Sequence, residues 1–194
     1  MKPQFLITII LLFTLTNVKA ANDIKTIYIQ PFGNFSDSSL QVVVTKLKKI
    51  FKQVEVKKPI ELPTFTYYKP RNRYRADKLI SYLSKTNSEN SYVIGFTNKD
   101  ISTTKNNIKD WGVMGLGYCP GNACIVSTHR IKGDLNKLLK LSLHELGHNT
   151  GLPHCSDKHC YMADAEGKDN LNKEAHFCNK CKNFLIKSNW KFNS

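Results

Sequence analysis

The chain has 194 residues, of which 41% are hydrophobic and 23% charged, with ten Gly and seven Pro; this excludes collagen-like, mucin-like and wholly disordered chains. Its length allows one domain with at most a small appendage and a real core. Lys and Arg number 29 against 15 Asp and Glu, a formal net charge of +14, and all six cysteines lie at position 119 or beyond.

Lys2 precedes an apolar run from Phe5 to Leu15, and Val18-Lys19-Ala20 places small residues where a signal peptidase reads them. Residues 1–20 therefore read as a signal peptide. The run is shorter than the roughly 20 apolar residues of a membrane span, so no stable membrane anchor is expected after cleavage. Maturation removes two lysines and no acid, leaving +12. The expected location is exported, periplasmic or secreted, and nucleic acid is not an expected partner.

Ile24 to Gln30 is β-branched and reads as a strand. Ser36 to Phe51 has cap residues followed by Leu40, Val43, Val44, Leu47 and Ile50 at helical spacing. Val54 to Val56 predicts a second strand, and the three prolines of residues 59–73 predict irregular turns. Arg75 to Lys85 predicts a second helix, Tyr92 to Thr97 a buried strand, and Asn98 to Asp110 a polar loop. Trp111 to Cys119 and Cys124 to Thr128 read as two strands around Pro120-Gly121-Asn122. Leucines 135, 138, 139 and 146 mark a third helix running to about Asn149 and stopped by Gly151. Beyond Pro153 regular periodicity fades while Cys and His become dense. Strands alternating with helices and followed by a compact Cys-rich piece predict an α/β or α+β domain with a small C-terminal subdomain.

The segment His144 to His154 has the pattern HExxHxxGxxH. On a helix, His144 and His148 lie one turn apart on one face and can reach a single ion. Glu145 lies beside them as a general base, and Gly151 permits a turn that brings His154 back as third zinc ligand. Glu166 and Glu174, the alternative third ligands, stand in no helical pattern. Met162 follows eight residues after His154, where its soft side chain can floor the histidines.

These residues resemble the metzincin metalloproteases, specifically the archaemetzincins. Cys155 directly after His154, Cys160 after a four-residue gap, Met162 completing CxM, and Cys178 with Cys181 as a late CxxC complete the likeness over residues 144–181. Three features differ: a spacing of fifteen residues between Met162 and Cys178, the signal peptide, and the extra pair Cys119 and Cys124.

The resemblance implies a mixed twisted sheet with an active-site helix, and a zinc-dependent peptidase acting on peptides or proteins. It divides the mature chain into a catalytic upper subdomain, residues 21–154, and a C-terminal subdomain, residues 155–194. It also implies two zinc ions: a catalytic one on His144, His148 and His154, and a structural one on Cys155, Cys160, Cys178 and Cys181. Four thiolates suit such a closed site; disulfides are the alternative for an exported chain. Cys119 and Cys124 flank a turn and fit either a local disulfide or two thiols. Trp111 to Tyr118 is the expected sheet edge for an extended substrate, with Gly112, Gly115 and Gly117 allowing close approach.

A different reading is a non-catalytic, zinc-stabilised module that binds anionic polymers or surfaces. Twelve basic residues fall within residues 46–85, among them Arg71, Arg73 and Arg75. The chain is expected to be a monomer.

Overall fold

A computed structural model describes residues 26–88, 90–164, 171–173 and 175–192. The expected signal peptide, Glu166 and Glu174 lie outside the described residues. Among those described, no helix is long and apolar enough to cross a membrane.

Strand β1 (Thr26–Pro31) leads through helix α1 (Asp37–Leu47) to β2 (Val54–Val56). β1 pairs in parallel with β2 and with β5 (Ser91–Thr97), and β5 pairs in parallel with β9 (Ala123–Ser127). The short strand β8 (Gly115–Gly117) closes this edge antiparallel to β9, giving the order β2-β1-β5-β9-β8. The expected mixed α/β sheet is present.

Side chains alternate across this sheet with the period of two that a strand imposes. Ile27, Ile29, Ile94, Phe96, Cys124 and Val126 join one core with α1 and with helix α3 (Leu135–Asn149). Val93, Ala123 and Ile125 join a second core with helix α2 (Ala76–Lys85). The first core continues into Cys160, Met162, Phe177, Leu185 and Trp190, so the C-terminal piece is packed on the rest rather than appended to it.

Four expectations need correction. Asn98 to Asp110 is not loop: β6 (Ile101–Lys105) and the start of β7 (Ile108–Val113) lie there. With β3 (Tyr67–Tyr68) and β4 (Arg73–Arg75) they form a second sheet, order β3-β4-β6-β7, so the proline-rich region also contributes a strand. The expected strand Trp111 to Cys119 is split at Met114, its halves serving different sheets. Finally, helix α4 (Asn179–Lys187) forms within the cysteine-rich end, burying Cys181 and Leu185.

Candidate metal centre and cleft

Helix α3 begins where the Asp134 side chain accepts from the N–H groups of Asn136 and Lys137, satisfying two donors that a helix start leaves open. It ends at Gly151, whose φ of +98° suits a residue without Cβ. The turn beyond it returns the Leu152 carbonyl to the His148 ring.

His148 Nδ1 donates to Leu152 O at 2.8 Å, and His144 Nδ1 donates to Tyr161 O at 2.6 Å. A carbonyl can only accept, so each Nδ1 holds the proton and each Nε2 is left as a free lone pair. Burial, then the neighbouring His148, pushes His144 down to about 3. Burial likewise lowers His148. Both rings are thus neutral, the form that ligates metal. His154 reaches the same place from the loop, exposed, with Nδ1 3.6 Å from an Asp164 oxygen. Ligand atoms of the three histidines lie within 4.8 Å of one another and could hold an ion.

Glu145 is 5% exposed, and burial alone pushes its carboxyl up to about 8. It lies under β8: a Cβ at Gly115 would stand 2.5 Å from Glu145 Oε1, and one at Gly117 3.2 Å from Oε2. The two glycines therefore make room for the carboxylate beneath this edge. Met162 is fully buried, and a Cβ at Gly147 would stand 2.7 Å from its sulfur, which places it beneath the helix turn that joins His144 and His148.

The second cluster is also assembled. The sulfurs of Cys155, Cys160, Cys178 and Cys181 lie within 4.8 Å of one another, all as free thiols. Cys155 and Cys178 are 3.7 Å apart at sulfur, close to the ~3.8 Å edge of a tetrahedron with Zn–S bonds of about 2.3 Å. The N–H groups of Met162 and Cys178 point at Cys160 Sγ at 3.5 and 3.4 Å, and that of Asp157 at Cys155 Sγ at 3.4 Å. Burial raises Cys160 and Cys181; at Cys178 burial also raises, but hydrogen bonds, first from the Cys181 N–H, outweigh it and lower the thiol. This donor set fits a metal that takes sulfur as thiolate.

Cys119 and Cys124 are free thiols rather than a disulfide. Cys124 opposes Gly117 on β9 and is buried in the sheet, while Cys119 lies two residues past that ladder, exposed, with its sulfur 3.6 Å from Leu152 O.

A cleft of about 760 Å³ runs over His144, Glu145 and His148 and onward past β7, where Thr103, Lys105, Trp111 and Arg130 line it. Asp164 and Arg130 escaped the sequence reading. Neither stands in a recognisable spacing to the histidines, and only folding brings them to the cleft.

A family model described as peptidase family M54 matches residues 11–187. The chain is 32% identical over 140 residues to an archaemetzincin of Methanopyrus kandleri, covering 69% of this chain and 78% of that one. It is 26% identical over 170 residues to an archaemetzincin of Methanocaldococcus jannaschii, covering 81% and 91%. The crystal structure of the Methanopyrus kandleri archaemetzincin superposes with a TM-score of 0.72 at 26% identity, over 88% of this chain and 97% of that one. That of Archaeoglobus fulgidus archaemetzincin complexed with malonate gives 0.70 at 25% identity, over 82% and 99%.

Proposed function

The chain belongs to peptidase family M54 and is a zinc metallopeptidase; from that premise we propose which residues perform the hydrolysis and where. His144, His148 and His154 would hold the catalytic zinc, because two of them present unprotonated Nε2 atoms fixed by carbonyl acceptors at Nδ1. When bound, the metal supplies a Lewis acid that polarises the scissile carbonyl and lowers the pKa of water.

Glu145 takes the proton from the attacking water and returns it to the leaving amine. Its burial supports this: a carboxyl raised toward neutral pH is a better proton acceptor than an exposed one, and a neighbouring cation brings it back into the ionised form. Gly115 keeps the carboxylate's space free beneath β8. The peptide lies along the cleft, extended beside β8, the edge strand of the larger sheet.

Cys155, Cys160, Cys178 and Cys181 would hold a second, structural zinc, supported by the 3.7 Å sulfur spacing and the N–H groups aimed at sulfur. The two ions belong to a mature chain that starts near residue 21 after export. Residues 21–154 would then supply the catalytic part and residues 155–194 the cysteine-bound part. The binding-module reading is weakened, since three of the twelve basic residues behind it, Arg71, Arg73 and Arg75, are engaged with Asp110, Asp100 and Asp77.

The observation that carries the assignment is Glu145 buried beside two pre-oriented histidines at the floor of an open cleft. Glu145→Ala should retain both zincs and lose about 10²- to 10⁴-fold in kcat/KM on a quenched peptide library. Equal cleavage by the variant would overturn the role of Glu145. N-terminal sequencing of the exported protein checks the cleavage site, an intact Met1 being the contrary result.

A further inference from the structure

Beyond Glu145 the cleft crosses the second sheet, and its cationic groups are Arg130 and Lys105. Arg130 is anchored from behind: Nε and Nη2 donate to the two carboxylate oxygens of Asp100 at 2.8 and 3.0 Å. Its guanidinium lies so close over Gly112 that a Cβ there would collide with it. Asp100 is shared with Arg73, Arg73 with Asp110, and Asp110 with Arg71. In this network three guanidiniums meet two carboxylates, so a positive charge is left over. Lys105 adds another, its ammonium 5.5 Å from the centroid of the Trp111 ring.

The distance from this charge to the reacting groups is set by covalent geometry. Gly112 abuts the Arg130 guanidinium and Gly115 abuts the Glu145 carboxylate. They stand three residues apart on one chain segment, which spans at most about 10 Å. An extended peptide lying in the same cleft advances at about 3.3 Å per residue, so the same length covers roughly three of its residues.

We infer that Arg130 and Lys105 form a subsite for a substrate carboxylate, borne about three residues from the bond that is cut. The carboxylate comes from an Asp or Glu side chain or from the peptide's C-terminus. The inference rests on the peptidase reading of the Glu145 site and adds a substrate class to it. A guanidinium already held flat by Asp100 loses little freedom on binding, and its Nη1 edge is not engaged by Asp100. Its planar donors match a carboxylate better than a mobile ammonium does.

The test uses quenched peptides in which one Asp or Asn is stepped residue by residue away from the cleaved bond, and matched peptides ending in free acid or amide. The wild-type zinc-loaded protein should prefer Asp over Asn by about tenfold in kcat/KM at one offset near three residues. If the free acid rather than the internal Asp gives the preference, the source is the C-terminus. Arg130→Gln should bring the ratio close to one. Lys105→Gln should lower it less, and Gly112→Ala should lower it by displacing the guanidinium. Should Arg130→Gln not fold, the two other variants decide. A ratio that persists in every folded variant overturns the subsite.

Failure of the subsite and failure of the peptidase reading give different results. Wild-type protein that cleaves Asp and Asn peptides equally at every offset and equally as acid and amide overturns the subsite alone. If wild type cleaves no peptide, the peptidase reading falls, and fluorescence anisotropy then decides the subsite. Tighter binding of the Asp than the Asn peptide by the Glu145→Gln protein upholds it, and equal binding overturns it.

Discussion

The histidine cluster and the cysteine cluster are made in opposite ways. His144 and His148 come from the C-terminal half of a fifteen-residue helix that is capped, buried and packed on the main sheet. Their rings are held by carbonyls at Nδ1, and His154, the third residue of the cluster, sits on an exposed loop. The cysteines come from loop segments and the start of the nine-residue α4, and none of them lines the cleft. A ligand pair on a stable helix is available before metal arrives and can leave a coordination position open. Ligands on short irregular segments need an ion, or an equivalent crosslink, to define the segments. Reactivity should therefore depend on the first cluster and stability on the second.

The largest test of that division is Cys160→Ser. Structural zinc in small modules is worth about 10–16 kcal/mol, so loss of one buried ligand should cost on the order of 5 kcal/mol and one zinc per chain. Thermal melting and metal analysis measure both. His148→Ala should instead abolish turnover and shift the melting temperature little; a large shift with activity retained would invert the comparison. Next, Leu146→Ala removes a fully buried side chain between His144 and His148 and should cost about 2–5 kcal/mol by denaturant titration. Asp134→Ala removes the cap of the same helix, for about 1 kcal/mol.

The smallest effect lies away from both clusters. Burial pushes Asp100 up, but hydrogen bonds and charge from Arg130 and Arg73 outweigh it and hold its carboxyl below the usual carboxylate range. A lowered folded value contributes stability above the ordinary carboxylate pKa, and that stability is lost as pH falls through the lowered one. Asp100→Asn should thus flatten the acid limb of stability by less than about 1 kcal/mol, after screening by solvent. Titration of the melting temperature between neutral and acidic pH reads the difference.

What could be foreseen follows the range of the interaction involved. Helix α3 was legible because its leucines and the stop at Gly151 are local signals. The seven candidate ligand positions were legible as spacing, and the structure brings both sets together. β6 was not legible: its residues Ser102 to Lys105 are polar, and what makes them strand is pairing with β7 and β4. The switch of sheets at Met114 has no local mark either, since Trp111 to Gly117 runs on in sequence while its ladder partners change from β6 to β9. Helix α4 was hidden because two of its apolar positions are spent on Cys181 and Leu185 in a stretch otherwise rich in Lys and Asn. Arg130 reached the cleft through Asp100, thirty positions away.

Tyr161 and Met162 are neighbours in the chain and touch both clusters. The Tyr161 carbonyl holds His144 in its tautomer, while the Met162 N–H faces Cys160 Sγ and its carbonyl accepts from Cys155 N at 2.7 Å. Whatever seats the four sulfurs also seats that carbonyl. If both clusters hold zinc, as proposed, occupancy at the cysteines and affinity at the histidines would share one free energy, equal in both directions by linkage. When zinc is scarce, such a pair of sites would disfavour half-filled molecules. The population would then divide into fully loaded and empty chains, and metal supply would set how many molecules work rather than how well each one does.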